Sequence, residues 1–412
     1  MLDVNLIRNN PDQVKNGISK KGANPKLVDD FLALDRKWRE NTQQVDELRA
    51  RQNKLSEERN IEEGKKVKIQ VQDLEVALRQ LEVSRSKILE QIPNLPAPDI
   101  PVGDESANTI LREVGKKPKF EFEPKDYLTL AGSFIDTERA AKISGSRFNY
   151  LLGDLALLQF AILKLIFDKL LPKGFMPIIP PVLVKPEVMK GMGKIKFIED
   201  EDAYLIQKDD LYLIGSAEHS IGPFHADEIL EIKSLPRRYV GFSTSFRREA
   251  GSYGKDTRGI LRVHQFDKAE MFIFAEPSKS EEEHQLLLSC QEELMQSLSL
   301  PYQVVQIATG DMTFADYKQY DIETWIPSEG RYRETHSCSN TTDFQARGIS
   351  AKYRTSDGRV EFLHTLNATA FAMGRILIAI LENYQTKEGR VVIPEVLRDY
   401  VGRSEIEAPK KA

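Results

Sequence analysis

Three segments of the sequence carry side chains that could hold a nucleoside phosphate. The first passes from residues 246–249 through a charged, glycine-rich stretch and returns at residues 263–266. Strand alternation would put Arg247 and Glu249 on one face, where the arginine could clamp a phosphate or carboxylate bidentately. Glu249 could accept a hydrogen bond from an exocyclic amine, and Phe266 could stack on a base. The same residues would also suit a β-hairpin with cross-strand ion pairs, which contribute little on a surface.

The second segment, residues 334–340, groups oxygen donors around a histidine: Glu334, Thr335, His336 and Ser337. Such donors suit Mg²⁺ shared with a nucleotide, although an ordinary polar loop would have a similar composition. The third segment, residues 365–383, predicts a polar turn that runs into a helix from Thr369 onward. Arg375 would project from that helix within two turns of its start.

The composition excludes several classes of protein. The chain has 412 residues, which suggests two or three domains. Its 58 Lys+Arg against 63 Asp+Glu exclude a polybasic binder, so any nucleic-acid surface must be a local basic patch. Two cysteines exclude a disulfide framework, and the histidines have no metal-ligand spacing. The longest apolar stretch, residues 155–167, is too short to span a bilayer, and no secretory signal opens the sequence. We therefore expect a cytoplasmic protein.

The first hundred residues have the pattern of a coiled coil. Apolar residues recur at alternating spacings of three and four from Phe31 to Leu55 and again from Val67 to Ile92. Arg85 occupies the one missed position of the second run. Gly64, between the runs, can supply a turn. The sequence therefore predicts two long antiparallel helices over about residues 27–92, folded as a hairpin that stands out from the body.

Such a hairpin could be a dimerisation coil, a spacer or an arm that contacts RNA. Basic residues, which favour RNA because they suit phosphate contacts, gather toward its distal end: Arg49, Arg51, Lys54, Arg59, Lys65, Lys66 and Lys68. Four prolines between Pro93 and Pro101 then stop any helix. We place a domain boundary here, which gives an N-terminal domain of residues 1–100 and a second domain of residues 101–412.

The second domain mixes short β-rich runs with few helical patterns. Helices are expected near residues 148–171 and 279–298, and a β-rich run at residues 178–184. Because the β-rich runs follow one another without regular helical crossovers, we expect an antiparallel sheet flanked by helices, an α+β domain. No P-loop motif and no dinucleotide-binding glycine pattern opens a helix, so neither of those nucleotide sites is expected.

The chemistry-bearing segments resemble the signature motifs of class II aminoacyl-tRNA synthetases, and of the seryl-tRNA synthetases in particular. Residues 174–184 resemble the first motif, residues 246–270 the second and residues 365–383 the third. The resemblance implies a homodimer joined through the first motif, and a hairpin that grips the long variable arm of tRNA(Ser). It implies a serine–tRNA ligase that makes seryl-adenylate from L-serine and ATP with Mg²⁺, then loads the tRNA 3′ end. Neither a membrane nor DNA is an expected partner, and selenocysteine tRNA stays open as a second substrate.

The resemblance also implies a role for individual residues. The catalytic residues would be Arg247, which bridges the serine carboxylate and the α-phosphate, and Arg375, which holds the γ-phosphate. Glu334 and Ser337 would ligate the metal. The residues implied for ATP are Arg247, Arg248, Glu249, Val263, His264, Gln265, Phe266, Glu334, Thr335, His336, Ser337 and Arg375.

The serine site implied by the resemblance recognises both ends of the amino acid. Its residues would be Ser216, Ala217, Glu218, Arg247, Glu270, Asn367 and Thr369. Glu270 and Thr369 would receive the serine hydroxyl, while Ser216 and Asn367 help to place the amino group. Ser216 stands where threonine is more usual in the family, with the hydroxyl kept.

Two rival interpretations fit a chain of this length. A catalytically silent relative could keep the hairpin as an RNA-binding scaffold, but it should have lost Arg247 and Arg375, and both are present. A ligase that loads an amino acid onto a carrier protein should lack the hairpin, whereas two full heptad runs are present.

Overall fold

The structure is a computed structural model that describes residues 1–250 and 258–407. The chain folds into two compact units, one of residues 1–95 and one from residue 96 onward. The segment predicted to hold a nucleoside phosphate includes residues 251–257, which lie outside the described residues. Among the helices that are described, none is both long and apolar enough to cross a membrane.

The first unit is helical, and its two long helices form the predicted antiparallel hairpin. Its helices are α1 (Val4–Asn9), α2 (Pro11–Lys20), α3 (Lys26–Glu57) and α4 (Ile61–Leu89). The seam between α3 and α4 buries residues of the heptad pattern: Val45, Leu55, Val67 and Val71. Opposite charges cross the seam near the turn, where Arg51 lies 2.9 Å from Glu63.

The turn of the hairpin does not lie at Gly64, and that prediction is wrong. The chain reverses between Glu57 and Ile61, where Arg59 takes a positive φ of 55°. The Asn60 side chain then accepts a hydrogen bond from the Glu63 backbone N–H and caps α4. Gly64 consequently lies in the first turns of α4, where it needs no unusual backbone conformation.

A buried carboxylate gathers three arginines in the first unit. Asp35 on α3 receives two 2.8 Å hydrogen bonds from Arg8 and one of 3.2 Å from Arg39. Arg85, the residue at the missed heptad position, approaches the same carboxylate at 3.3 Å and stacks over Trp38 at 4.6 Å. The break in the apolar pattern is therefore a specific ionic contact between α3 and α4.

The second unit is built on a sheet of eight strands, the main sheet. The strands of the unit are β1 (Thr109–Val114), β2 (Ile135–Asp136), β3 (Tyr150–Leu151), β4 (Phe175–Ile178), β5 (Leu183–Val184), β6 (Leu205–Ile206), β7 (Leu211–Leu213), β8 (Ile229–Glu231), β9 (Arg237–Phe246), β10 (Gln265–Ala275), β11 (Tyr302–Gln306), β12 (Lys318–Ile326), β13 (Arg331–Asn340), β14 (Lys352–Arg354), β15 (Val360–Phe362), β16 (His364–Ala372), β17 (Val391–Val392) and β18 (Glu405–Ile406). The main sheet has the order β1-β11-β12-β13-β16-β10-β9-β4. All its neighbours are antiparallel except β4 and β9, which run parallel at one edge. The α+β prediction is confirmed, with that one parallel pair as the difference.

Helices cover one face of the main sheet. The helices of the unit are α5 (Tyr127–Ala131), α6 (Thr137–Ser144), α7 (Gly153–Leu170), α8 (Pro186–Gly191), α9 (Ile195–Glu199), α10 (Glu218–Ile221), α11 (Ser280–Ser297), α12 (Phe344–Ile349), α13 (Met373–Asn383) and α14 (Arg398–Val401). Buried apolar residues of α7, α11 and α13 form one core with Met271 of β10 and Ala368 of β16. Their neighbours in sequence, Glu270 and Thr369, are paired across β10 and β16 and point to the opposite face, the site face.

Two local predictions are wrong because tertiary pairing overrides the local pattern. Residues 364–372 form β16, and the helix predicted from Thr369 begins at Met373. Residues 334–340 belong to strand β13, so the alternative of an ordinary polar loop is excluded. The β-rich run predicted over residues 178–184 is interrupted, since β4 ends at Ile178 and β5 begins at Leu183.

Candidate active site

The site face brings together side chains from three adjacent strands. Glu270 of β10 lies directly across from Thr369 of β16. On the next strand, the Ser337 hydroxyl lies 3.5 Å from the Thr369 hydroxyl. Asn367 pairs in register with Ser339 of the same strand. Because residues two apart share a face of a strand, the buried ladder of β16 presents both Asn367 and Thr369 beside Glu270.

Arg247 follows the end of β9, and contacts between its backbone and His264 fix its position. Its N–H donates to the His264 carbonyl at 3.0 Å, and the His264 imidazole lies 3.1 Å from the Arg247 carbonyl. The Arg247 guanidinium donates from Nε to the Gly215 carbonyl at 3.1 Å and stacks over the Phe266 ring at 5.4 Å. This arrangement brings the predicted phosphate clamp and the predicted base platform into contact.

Glu249 does not share a strand face with Arg247, and that geometric prediction is wrong. Strand β9 ends at Phe246, and Glu249 has a positive φ of 51° in the turn that follows. Its carboxylate lies 3.5 Å from Arg262 on the returning segment. Arg248 also lies beyond the strand, and its guanidinium stacks over Tyr204 at 5.5 Å.

Arg375 lies at the start of α13 and pairs with Glu334 of β13. Its Nη1 is 3.2 Å from the Glu334 carboxylate and donates to the Glu334 carbonyl at 2.9 Å. The Glu334 side chain is half exposed. Partial desolvation opposes its ionisation, but Arg375, together with the more distant Arg247 and Lys268, lowers the pKa of the carboxyl. A side chain at the neighbouring Gly374 would place its Cβ 2.8 Å from the Ile260 carbonyl, so glycine permits this close approach.

A second acidic group, Glu218 at the start of α10, lies in a buried ionic cluster. Its carboxylate contacts Lys194, the residue that precedes α9. Burial opposes its ionisation, but Lys194 and His219 together bring the pKa of Glu218 well below its ordinary value. Burial lowers the pKa of His219 to about 4, so its imidazole is neutral, and Nδ1 accepts a 3.2 Å hydrogen bond from the Gly215 N–H. Gly215 thereby joins this cluster to Arg247.

Glu270 is fully buried and its hydrogen bonds are unmade. Its side chain has 0% exposure, and both carboxylate oxygens lack a hydrogen-bond partner among the described residues. The Lys268 ammonium lies 2.7 Å from Oε2 and forms an ion pair with it. Burial raises the pKa of Glu270, and the Lys268 charge opposes that rise. A buried carboxylate with free lone pairs is suited to a ligand that donates a hydrogen bond.

The residues predicted to bind ATP differ in the exposure of their side chains. The Thr335 hydroxyl lies 2.8 Å from His336 Nδ1, and His336 pairs with Ile322 of the core face. Burial lowers the pKa of His336 to about 3, so its ring is neutral. Their side chains point into the interior, so any contact with ATP would come from their backbone. Val263 is buried and Gln265 is exposed.

The donors of the predicted metal site fit a magnesium ion that shares its ligands with phosphate. Glu334 supplies a carboxylate and Ser337 a hydroxyl, both hard oxygen ligands. Within residues 1–250 and 258–407, no group of three or more histidine, cysteine or acidic side chains could hold a metal alone. The fit is therefore to an ion that takes its remaining ligands from a nucleotide and water.

Two lysines of the site were missed by sequence reasoning. Lys268 lies two residues before Glu270 on β10, and strand alternation could have placed it on the same face. Lys194 lies far from Glu218 in the sequence, and no local pattern signals their contact. Gln291 of α11 was also missed; its amide donates to the backbone carbonyls of Ser337 and Thr369, each at 2.8 Å.

Comparison with known proteins gives consistent matches along the chain. Residues 1–96 match the seryl-tRNA synthetase N-terminal domain, and residues 201–384 match the tRNA synthetase class II core domain (G, H, P, S and T). The chain is 42% identical over 417 residues to the serine–tRNA ligase of Thermobifida fusca, with 98% of each chain covered. It is 42% identical over 450 residues to that of Thermococcus onnurineus, with 98% and 97% covered.

Solved structures agree with these matches. The crystal structure of seryl-tRNA synthetase from Pyrococcus horikoshii complexed with ATP has a TM-score of 0.92 at 39% identity, covering 100% of both chains. The cytoplasmic serine–tRNA ligase of Naegleria fowleri in complex with AMP has a TM-score of 0.89 at 35% identity, covering 100% of this chain and 99% of the other.

Proposed function

The chain belongs to the seryl-tRNA synthetase family and its reaction is the ATP-dependent ligation of serine to tRNA; we propose how the described residues divide that reaction. The carrying observation is the fully buried Glu270, with unmade hydrogen bonds, beside the Thr369 hydroxyl. This polar pair lies on the site face, and Arg247 emerges beside the strand that carries Glu270. The geometry supports binding of a small amino acid. Glu270 and Thr369 would bind its hydroxyl at one end, and Arg247 would bind its carboxylate at the other.

The first step joins serine to the nucleotide. A carboxylate oxygen of serine forms a bond to the α-phosphorus of ATP, and the bond from that phosphorus to the β-phosphate oxygen breaks, releasing diphosphate. The proposed role of Arg247 is to hold the two reacting groups together and to offset the negative charge that grows at phosphorus. Arg375 holds the γ-phosphate, and Phe266 carries the adenine ring. No protein nucleophile is needed.

The proposal includes a magnesium ion. Glu334 and Ser337 would bind it together with the phosphates of ATP. When bound, the ion would supply positive charge that neutralises the phosphate oxygens. Arg375 lies 3.2 Å from Glu334. We expect Arg375 to exchange this carboxylate for the γ-phosphate when ATP binds, because a guanidinium pairs well with either anion.

Serine selection follows from the same polar pair. Alanine, which lacks the hydroxyl, would leave Glu270 and Thr369 without their hydrogen bonds, and a site built to bond a hydroxyl rejects such an analogue strongly. The proposed binders at the amino end are Ser216, Glu218 and Asn367. Because Thr369 and Asn367 are part of the buried ladder of β16, their positions are fixed by the sheet rather than by a loop.

The hairpin of the first unit is the proposed tRNA(Ser)-binding arm. Lys65, Lys66 and Lys68 near its turn are exposed, which suits phosphate contacts. We propose that the boundary between this arm and the catalytic domain lies near residue 100. A homodimer through residues 174–184 would cover Ile179, which is 90% exposed, together with Met176. Translation also suggests a cytoplasmic location.

ATP–diphosphate exchange, measured with each of the twenty amino acids and followed by tRNA charging, tests the proposed function. Serine-dependent exchange with charging of tRNA(Ser) is the expected result. Exchange without tRNA charging would favour a carrier-protein ligase. No exchange with any amino acid would favour a silent scaffold.

A further inference from the structure

A buried lysine joins the two halves of the serine site. Lys268 projects from β10 on the same face as Glu270. Its ammonium lies 2.7 Å from Glu270 Oε2 and donates to the Ser216 hydroxyl at 3.3 Å. Glu270 is implied to read the serine hydroxyl, and Ser216 to place the amino group. Lys268 contacts both residues, although no role has been assigned to it so far.

The ion pair of Lys268 and Glu270 is buried among polar groups that lack hydrogen-bond partners within the described part of the chain. The Lys268 side chain is largely buried, and Glu270 is fully buried. Directly across from Lys268 on β9 lies Ser243, whose buried hydroxyl has no hydrogen-bond partner among the described residues. The lysine therefore lies in a polar region whose hydrogen bonds are incomplete without a ligand. A buried ion pair by itself is weak evidence for a stabilising role.

We propose that Lys268 is a positioning residue for serine: its ammonium holds Glu270 as an ionised acceptor, with Oε1 left for the serine hydroxyl. The inference rests on the proposed function of this site. It also gives the lysine a selective effect, because its positive charge disfavours any amino acid with a cationic group in place of the hydroxyl. The pocket would thus select a neutral donor by charge as well as by hydrogen bonding.

The groups that face Glu270 define how this arrangement responds to pH. Lys268 on its own strand is the nearest charge, and Glu218 of α10 and Lys194 ahead of α9 also act on it. The paired residues on the adjacent strands, Thr369 and Gly241, carry no charge. Without the Lys268 ammonium, burial and Glu218 would both favour the protonated form of Glu270. Serine recognition should then weaken as the pH falls.

The test is the Lys268→Met variant in serine-dependent ATP–diphosphate exchange. We expect the KM for serine to rise about 10- to 100-fold, as for loss of one charged hydrogen-bonding contact. The KM for ATP should stay within about twofold, since the lysine contacts no residue assigned to the nucleotide. The variant's serine KM should also increase from pH 8 to pH 6, whereas that of the parent protein stays flat.

Lys318→Met is the matched control. Lys318 of β12 is similarly buried and lies 2.9 Å from Asp99, so its removal also breaks an ion pair, away from the site face. It should leave the serine KM unchanged. The proposal is overturned if Lys268→Met keeps the parent serine KM, or if it lowers kcat with both substrates alike, as a purely structural defect would.

A substrate analogue provides a second readout that a general loss of stability would not reproduce. L-2,3-diaminopropionate carries an ammonium in place of the serine hydroxyl. At pH 8 it should inhibit the parent protein poorly and Lys268→Met at least about tenfold better, because the ionised Glu270 can then pair with the cation of the analogue instead of with Lys268. Equal inhibition of both proteins contradicts the proposal. If Lys268→Met does not fold, Lys268→Arg should keep both the charge and the parent's preference for serine over the analogue, and loss of that preference would overturn the proposal. Parent exchange with serine tests the proposed function separately.

Discussion

Arg85 on α4 and Asp35 on α3 meet inside the first unit, with 3.3 Å between the guanidinium and the carboxylate. Arg8 and Arg39 bind the same carboxylate, so one negative charge serves three positive ones. Burial opposes ionisation of Asp35, but Arg8 and the other two arginines lower its pKa overall. The coiled-coil seam is thereby fixed in register by a polar contact as well as by apolar packing.

Replacing Asp35 with alanine should destabilise the first unit by about 2–4 kcal/mol, because three arginines would lose their shared partner. Chemical unfolding followed by circular dichroism measures the change. Arg39→Ala is the control; Arg39 is largely exposed, so its loss should cost no more than about 1 kcal/mol. Equal effects of the two substitutions would contradict a special role for Asp35.

Acidification should destabilise the second unit through its buried histidines. Burial lowers the pKa of His284 to about 4, against 6.5 for the free side chain. The unfolded chain therefore binds the proton first, and the stabilisation, complete above pH 6.5, is lost as the pH falls toward 4. The loss from His284 alone should be about 2 kcal/mol at pH 5. His284→Asn should flatten the plot of unfolding free energy against pH. An unchanged slope would contradict a lowered pKa of His284 in the folded protein.

Arg247→Lys should reduce activity even though the charge is kept. A lysine cannot reproduce both the contact with the Gly215 carbonyl and the stacking over Phe266. We expect kcat for exchange to fall about 10²- to 10³-fold, the usual effect of removing one transition-state donor. Arg248→Lys, whose guanidinium lies over Tyr204 instead, should have a smaller effect. Similar losses in both variants would argue against the assigned role of Arg247.

Charge reversal near the turn of the hairpin should weaken tRNA charging alone. The triple substitution Lys65→Glu, Lys66→Glu and Lys68→Glu should raise the KM for tRNA about tenfold or more and reduce its salt dependence. ATP–diphosphate exchange should not change. Lys87→Glu reverses a charge near the opposite end of α4 and should have little effect. A tRNA KM that does not respond to the triple substitution would exclude this surface.

The first-motif segment provides a test of oligomeric state. Ile179→Asp places a charge at the most exposed large apolar side chain of the described residues, and it should convert a dimer to monomers. Sedimentation equilibrium measures the mass. Val102→Asp, also at an exposed apolar position, is the control and should leave the mass unchanged. A dimer that persists in Ile179→Asp would place the interface elsewhere.

The hairpin could be predicted because the heptad spacing of apolar residues is a local pattern. A few turns of each helix are enough to show which residues face the other helix. The turn of the hairpin could not be predicted, since Gly64 suggested the position while the chain actually reverses through Arg59 and a cap at Asn60. Similarly, the small apolar residues of β16 gave a helical pattern, and only the neighbouring strands β10 and β13 make that segment a strand.

Within the site, the motifs identified Arg247 and Glu270, but the ionic partner of Glu218 comes from a distant segment. Lys194 approaches Glu218 from the region before α9, and no sequence pattern links the two. Where burial arises from tertiary packing, as for Lys268 beside Glu270, a sequence cannot show which polar atoms will be left without partners.

The alternation along β16 also constrains how this protein can evolve. Asn367 and Thr369 alternate there with Leu366, Ala368 and Ala370, which belong to the hydrophobic core. A substitution at one of these core positions would also displace Asn367 and Thr369. Stable folding and selection of the amino acid therefore depend on the same strand. A new amino-acid preference would require coordinated repacking of the central sheet, whereas a change in a surface loop would leave that core untouched.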